Sequence, residues 1–273
     1  MKGSSIRNRL VLFLAVISQL LLSACGSVPL TGRRQVLLVS DQEVLQAGLQ
    51  QYNEYMSGAA LSTDKRADAM VRSVGRRLAE STEKYLVAHG LESEIRNLAW
   101  EFSLVKSNEV NAFCLPGGKI VVYEGLLSVA QTEAELAVVI GHEIGHAVAK
   151  HSNERLSQQI MAQYGMAILS QALSQKSAAV QTVATSVFGL GAQVGFMLPY
   201  SRKHEYEADY MGIVFMEIAG YDSSSAIDFW TKMSAGGGNT NDFLSTHPSD
   251  SKRIAEIAKR IPDAKNIGNM MNK

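Results

Sequence analysis

The chain has 273 residues, 46% of them apolar and 19% charged, with 26 basic and 26 acidic side chains. A net charge of zero excludes the strongly basic surface of a dedicated nucleic-acid binder, and the apolar fraction excludes an acidic disordered chain. The length fits one large domain or two small ones. The balance is uneven, however. Residues 1–24 hold Lys2, Arg7 and Arg9 and no acid, which leaves 23 basic against 26 acidic groups, a net of −3, in the remainder.

Those 24 residues read as an export signal. A positive start is followed by an apolar run, Leu10 to Leu22, broken only by Ser18 and Gln19, and then by Leu22-Ser23-Ala24-Cys25. The run is short for a transmembrane helix and ends in the small residues of a cleavage site. Leu-Ser-Ala-Cys resembles a bacterial lipobox, which implies that Cys25 is lipidated as the first residue of the mature chain. An ordinary signal peptide with an incidental Cys and an uncleaved anchor are the alternatives. Gly26, rather than Asp, after Cys25 resembles enterobacterial sorting to the outer membrane. The expected location is therefore the cell envelope, lipid-anchored and facing the periplasm. With Cys25 so used, Cys114 is the only thiol left and no disulfide framework can form.

Residues 25–39 read as a tether. Ser40 and Glu43 form a capping-box pattern opening a helix that reaches Met56 before Gly58, and a second helix is expected over 63–88. Trp100, Phe102 and Leu104 alternate with Glu101, Ser103 and Val105 as a strand does. Ala112–Leu115 and Lys119–Tyr123 flank Pro116-Gly117-Gly118 as a hairpin. Thr132 and Glu135 cap a helix running to about Ala149. Residues 156–201 carry one charge, Lys176, and are expected as two helices in the core or over a substrate groove. Gly236-Gly237-Gly238 reads as a loop, 249–260 as the last helix and 263–273 as a tail. The fold class expected is α+β, mostly helical, with one domain over 40–262 and a small sheet beside the active-site helix.

The chemistry is concentrated in Gly141-His142-Glu143-Ile144-Gly145-His146. On a helix His142 and His146 share one face, so two imidazoles can reach one Zn²⁺ while Glu143 touches a water on it without ligating the metal. A hydrolytic zinc needs a third protein ligand and an open position. The metzincin pattern fails, because Ser152 and Ala149 stand where its third His and Gly would be, and His151 is one residue early and points to another face. A carboxylate from a later helix fits: Glu205 and Asp209 lie four apart on one face, with His204 as a rival ligand and Glu207 read as a surface charge.

These strings, together with Asn111-Ala112-Phe113 and the Ser201-Arg202-Lys203-x-Glu205-x-Glu207-Ala208-Asp209 segment, resemble the HtpX/CAAX-prenyl-protease-type zinc metallopeptidases of peptidase family M48. The soluble envelope branch of BepA- and LoiP-like proteins is the most similar, over about residues 40–262. The resemblance implies a zincin-type (gluzincin) domain with one Zn²⁺ per subunit on His142, His146 and Glu205. It implies Glu143 as catalytic acid/base and a proton-donor role for Asp209, which one turn from a ligand is placed instead to orient a zinc-binding His. His247-Pro248 and Arg253 match a later His-Pro and Arg; His247 reads equally as a contact to the metal or transition state and as a helix-start turn. Asn111, Ala112, Phe113 and Arg253 are the substrate-binding candidates. The expected function is envelope endopeptidase acting on misfolded or misassembled chains. Its partners would be extended polypeptides and, as a candidate, the outer-membrane assembly machinery, with no nucleic acid. The competing reading is a latent or non-proteolytic, chaperone-like assembly factor.

Overall fold

The computed structural model describes residues 25–172, 201–235, 243–244, 247 and 251–273. Its elements, in order, are β1 (Cys25–Ser27), β2 (Arg34–Val36), α1 (Asp41–Gly58), α2 (Lys65–Ala88) and the single turn α3 (Glu92–Ile95). Next come β3 (Glu101–Val105), β4 (Ala112–Leu115), β5 (Lys119–Tyr123), α4 (Glu133–Val148) and α5 (His151–Ala172). The chain ends with α6 (Arg202–Ile218), α7 (Ser225–Ser234) and α8 (Ser251–Met271). The class is as expected: mostly helical with a small mixed sheet.

Local chemistry sets most boundaries. Both capping boxes form, Ser40 with Glu43 opening α1 and Thr132 with Glu135 opening α4. Asp64 caps α2 by accepting from the amides of Arg66 and Ala67. Gly117 and Gly118, at φ 88° and 80°, turn β4 into β5 in backbone that side-chain-bearing residues avoid. The sheet order is β3-β5-β4, with β3 parallel and β4 antiparallel to β5. Strand alternation then divides the apolar interior in two. Phe102, Leu104, Ala112, Cys114, Ile120 and Val122 face the main core with α2, α4, α6 and α7. Val105, Phe113, Leu115, Val121 and Tyr123 face a smaller core with α1 and the start of α5.

Two expectations are corrected. Residues 25–39 are not a loose tether: β1 and β2 pair as a hairpin, the Leu38 amide donates to Ser157 Oγ and Asn153 donates to the Val39 carbonyl. The last helix does not stop at 260. It continues through Pro262, and Ala264 and Gly268 in the expected tail are buried, Gly268 against Glu217. The first helix of the charge-poor stretch, α5, opens ahead of it at His151, while residues 173–200 and the Gly236–Gly238 loop lie outside the described residues. Among the described residues no helix is long and apolar enough to cross a membrane.

Candidate metal centre

Helix α4 is buried along nearly its whole length and packs against α6 backbone to backbone. A Cβ at Gly145 would lie 2.6 Å from the Ala208 carbonyl oxygen, and one at Gly212 would lie 2.9 Å from the Gly141 carbonyl carbon. Glycine at these positions is what lets the two helices touch. The close approach carries Glu205, in the first turn of α6, to the face of α4 that presents His142 and His146.

Four ligand atoms, from His142, His146, Glu205 and His247, lie within 4.8 Å of one another, and all four residues are buried. His142 Nε2 is 3.0 Å from His146 Nε2 and 3.1 Å from His247 Nδ1. Glu205 is 3.4 Å from each of the first two nitrogens and 3.3 Å from His247 Nδ1. Ligands at bond lengths of about 2.0–2.1 Å around a tetrahedral metal are separated by about 3.3–3.4 Å, so these spacings are those of a coordination shell. The tautomers agree. His142 Nδ1 is 2.8 Å from Asp209 Oδ1 and His146 Nδ1 is 2.9 Å from His151 Nδ1, so each ring carries its proton on the outer nitrogen. Two inward lone pairs then face each other, an arrangement that a metal ion or a shared proton relieves. The residues present therefore fit a divalent metal.

The charges around the cluster have the same sense. Burial works to lower His142, but the charge of Glu205 and the hydrogen bond to Asp209 raise it to about 9, so the metal-free site takes a proton as its cation. Burial drives His146 well below its ordinary value and leaves it neutral. Burial works to raise Glu205, yet His247, Arg253 and His142 hold it well below the carboxylate range. Glu143 is different. Burial raises it, His247 and His142 only partly oppose this, and its Oε1 is buried without a hydrogen-bond partner, 3.5 Å from His247 Nε2. A carboxylate so placed is a poised proton acceptor.

The structure brings His142, Glu143, His146, Glu205 and Asp209 together, and with them His247, for which the sequence had left a helix-start turn equally open. Arg253, expected among substrate contacts, is fully buried behind the ligands. It donates to both oxygens of Asp209, at 2.6 and 2.8 Å, lies 3.0 Å from Glu205 and stacks 3.6 Å over Trp230. Asn111, Ala112 and Phe113 are buried too; Phe113 packs edge-on to Tyr55 and Tyr123, and Asn111 Oδ1 accepts from the Ala112 amide. What β4 retains for a ligand is backbone, since it is the end strand and, among the described residues, pairs with β5 alone.

Sequence reasoning misplaced two residues behind His146, His151 and Glu207. Helix α4 ends at Val148, and Lys150 turns the chain through φ 55°, held by Asp41 and Glu94 at 2.7 Å each. That corner returns His151 onto His146 instead of another face. Glu207 is buried, not a surface charge, and sits 2.9 Å from His151 Nε2. His204 is no metal ligand; it donates to Glu154 at 3.0 Å and stacks on His151.

Comparison with known proteins agrees with this geometry. The description "Peptidase family M48" matches residues 72–261. The chain is 40% identical over 181 residues to the mitochondrial metalloendopeptidase OMA1 of Arabidopsis thaliana, covering 66% of this chain and 35% of that one. It is 26% identical over 258 residues to the metalloprotease YcaL of Escherichia coli K12, covering 90% and 98%. It is 30% identical over 169 residues to a Vibrio cholerae chain named as a beta-barrel assembly-enhancing protease, covering 58% and 34%. Against the plant and yeast OMA1 proteins the chain spans between a third and just over half of their length.

Proposed function

The chain belongs to peptidase family M48, and from that premise we propose that it is a zinc-dependent endopeptidase of the bacterial cell envelope acting on misfolded or misassembled proteins. The observation that carries the reading is the meeting of His142, His146 and Glu205 with Glu143 beside them. Two imidazoles and one carboxylate are the ligand set of hydrolytic zinc. When bound, zinc supplies activation of a water and polarisation of the scissile carbonyl. Glu143 takes the attacking water's proton and returns it to the leaving amine, a task suited to a buried carboxyl whose proton affinity is raised. Asp209 and Arg253 fix the ring of His142 and the carboxylate of Glu205. The β4 edge offers backbone to an extended substrate, which gives weak sequence preference and suits unfolded chains. The basic, apolar, Cys25-terminated leader supports a lipid-anchored envelope protein facing the periplasm, and the Vibrio relative's name supports a link to outer-membrane assembly.

The test is hydrolysis of casein by the purified chain and by Glu143→Gln. The variant keeps its zinc and loses about 10²- to 10⁴-fold in rate; equal degradation by both would refute the mechanism.

His247 favours a second reading, that the state described is latent. A catalytic zinc keeps one position open, whereas His247 completes a set of four protein ligands. Replacing His247 with Leu then raises casein hydrolysis, and a fall in rate would instead make His247 a helper of the reaction.

A further inference from the structure

The two ligand histidines are backed differently. His142 leans on Asp209, which Arg253 grips with two N–H groups. Behind His146 stands a longer chain of contacts, in which one assignment of protons pairs each donor with an acceptor. Because His146 turns Nε2 toward the ligand cluster, its Nδ1–H donates to His151 Nδ1 at 2.9 Å. His151 must then hold its own proton on Nε2, from which it donates to Glu207 Oε2 at 2.9 Å. Glu207 in turn accepts from Arg33 Nε at 2.7 Å and from the Thr31 hydroxyl. The rest of the Arg33 fork closes on Glu154 at 2.9 and 2.7 Å. Each ligand histidine thus ends on a carboxylate clamped by an arginine. For His146 that arginine comes from the β1–β2 hairpin, before the region that matches the family.

We propose that the β1–β2 hairpin is a positioning element of the metal centre: Thr31 and Arg33 hold Glu207, Glu207 holds His151, and His151 fixes the ring and tautomer of His146. Partners of this kind orient a ligand and raise its basicity, and their loss weakens metal binding about 10- to 100-fold. The inference rests on the metal reading above. If the hairpin were only a packing element, its removal would lower the stability of the metal-free fold and leave the affinity of the folded protein alone.

The experiment uses the full chain in detergent, with Arg33→Met, Arg33→Lys and Glu207→Gln beside it. Zinc affinity is measured by chelator competition, Co²⁺ absorption reports ligand geometry, and the melting temperature of the metal-free protein reports packing. Glu207→Gln and Arg33→Met are expected to bind zinc at least about tenfold more weakly and to shift the cobalt bands, with Arg33→Lys between them and the native chain. A lowered melting temperature with native affinity and a native cobalt spectrum overturns the proposal. Should Arg33→Met fail to fold, Glu207→Gln and Arg33→Lys decide by the same two readouts. A native chain that takes up neither Zn²⁺ nor Co²⁺ overturns the metal reading itself, and the hairpin's role with it.

Discussion

His142 holds a proton where the folded protein awaits a metal, and that competition sets how the site responds to pH. Its folded value of about 9 lies above the ordinary value of 6.5, so protonation favours the metal-free fold. That stability is fully present below pH 6.5 and is lost as pH rises through 9. Metal-free protein should accordingly melt at a lower temperature at pH 9.5 than at pH 6.5. Zinc sees the opposite trend, because it must displace the proton. Its affinity should rise about tenfold per pH unit toward pH 9 and then flatten. Competition titrations at three pH values between 6.5 and 8.5 check this, and a flat affinity would mean that His142 is already neutral in the metal-free protein.

At the scale of elements, the spacing of the ligands is set by the contact between α4 and α6. Gly145→Ala places a methyl group 2.6 Å from the Ala208 carbonyl oxygen, and neither helix can yield without moving a ligand. The expected cost is about 1–3 kcal/mol in urea unfolding, with weakened zinc binding. The corner at Lys150 makes a separable prediction. Lys150→Gly and Lys150→Ala both lose the pairs with Asp41 and Glu94, but only glycine adopts φ 55° freely, so the glycine variant should be more stable by about 1 kcal/mol. This corner also shows why the sequence was only partly legible. The histidines, Glu143 and Glu205 were found because helical spacing is local arithmetic. His151 was misread because its face was counted by the same helical arithmetic, although the helix was expected to end at about Ala149 and the corner at Lys150 has no glycine to mark it. Glu207 was misread for a different reason: it does lie off the Glu205 face, but that other face is covered by the start of α5 and by the hairpin, a long-range contact that no periodicity encodes. The extent of α8 was missed: the helix was expected over 249–260, whereas the chain runs helically through Pro262 to Met271.

At the scale of the molecule, a metal held by the cluster would join parts that are distant in sequence. The cluster's groups come from α4, α6 and residue 247, and Arg253 ties α8 to Glu205 within it and to Asp209 behind His142. Binding confined to the folded state stabilises by about 4 kcal/mol when free metal is 1,000 times Kd. For a domain of this size about 2–4 °C follows each kcal/mol, so chelation should lower the melting temperature by about 10 °C. Calorimetry with and without zinc measures it, and identical curves would mean that the cluster holds no metal at equilibrium.

The hairpin has a consequence for reach. Fourteen residues of free linker would let their two ends wander by about 20 Å. Here Cys25 is paired with Val36, and Leu38 and Val39 are bound to α5, so residue 25 is fixed to the body of the domain. A lipid on Cys25, as proposed above, would therefore set the height and tilt of the His142–His146–Glu205 cluster above its attachment surface. Under the proposed anchoring at Cys25, cleavage would then be confined to a layer of that depth, and sites outside it would be spared however exposed they were.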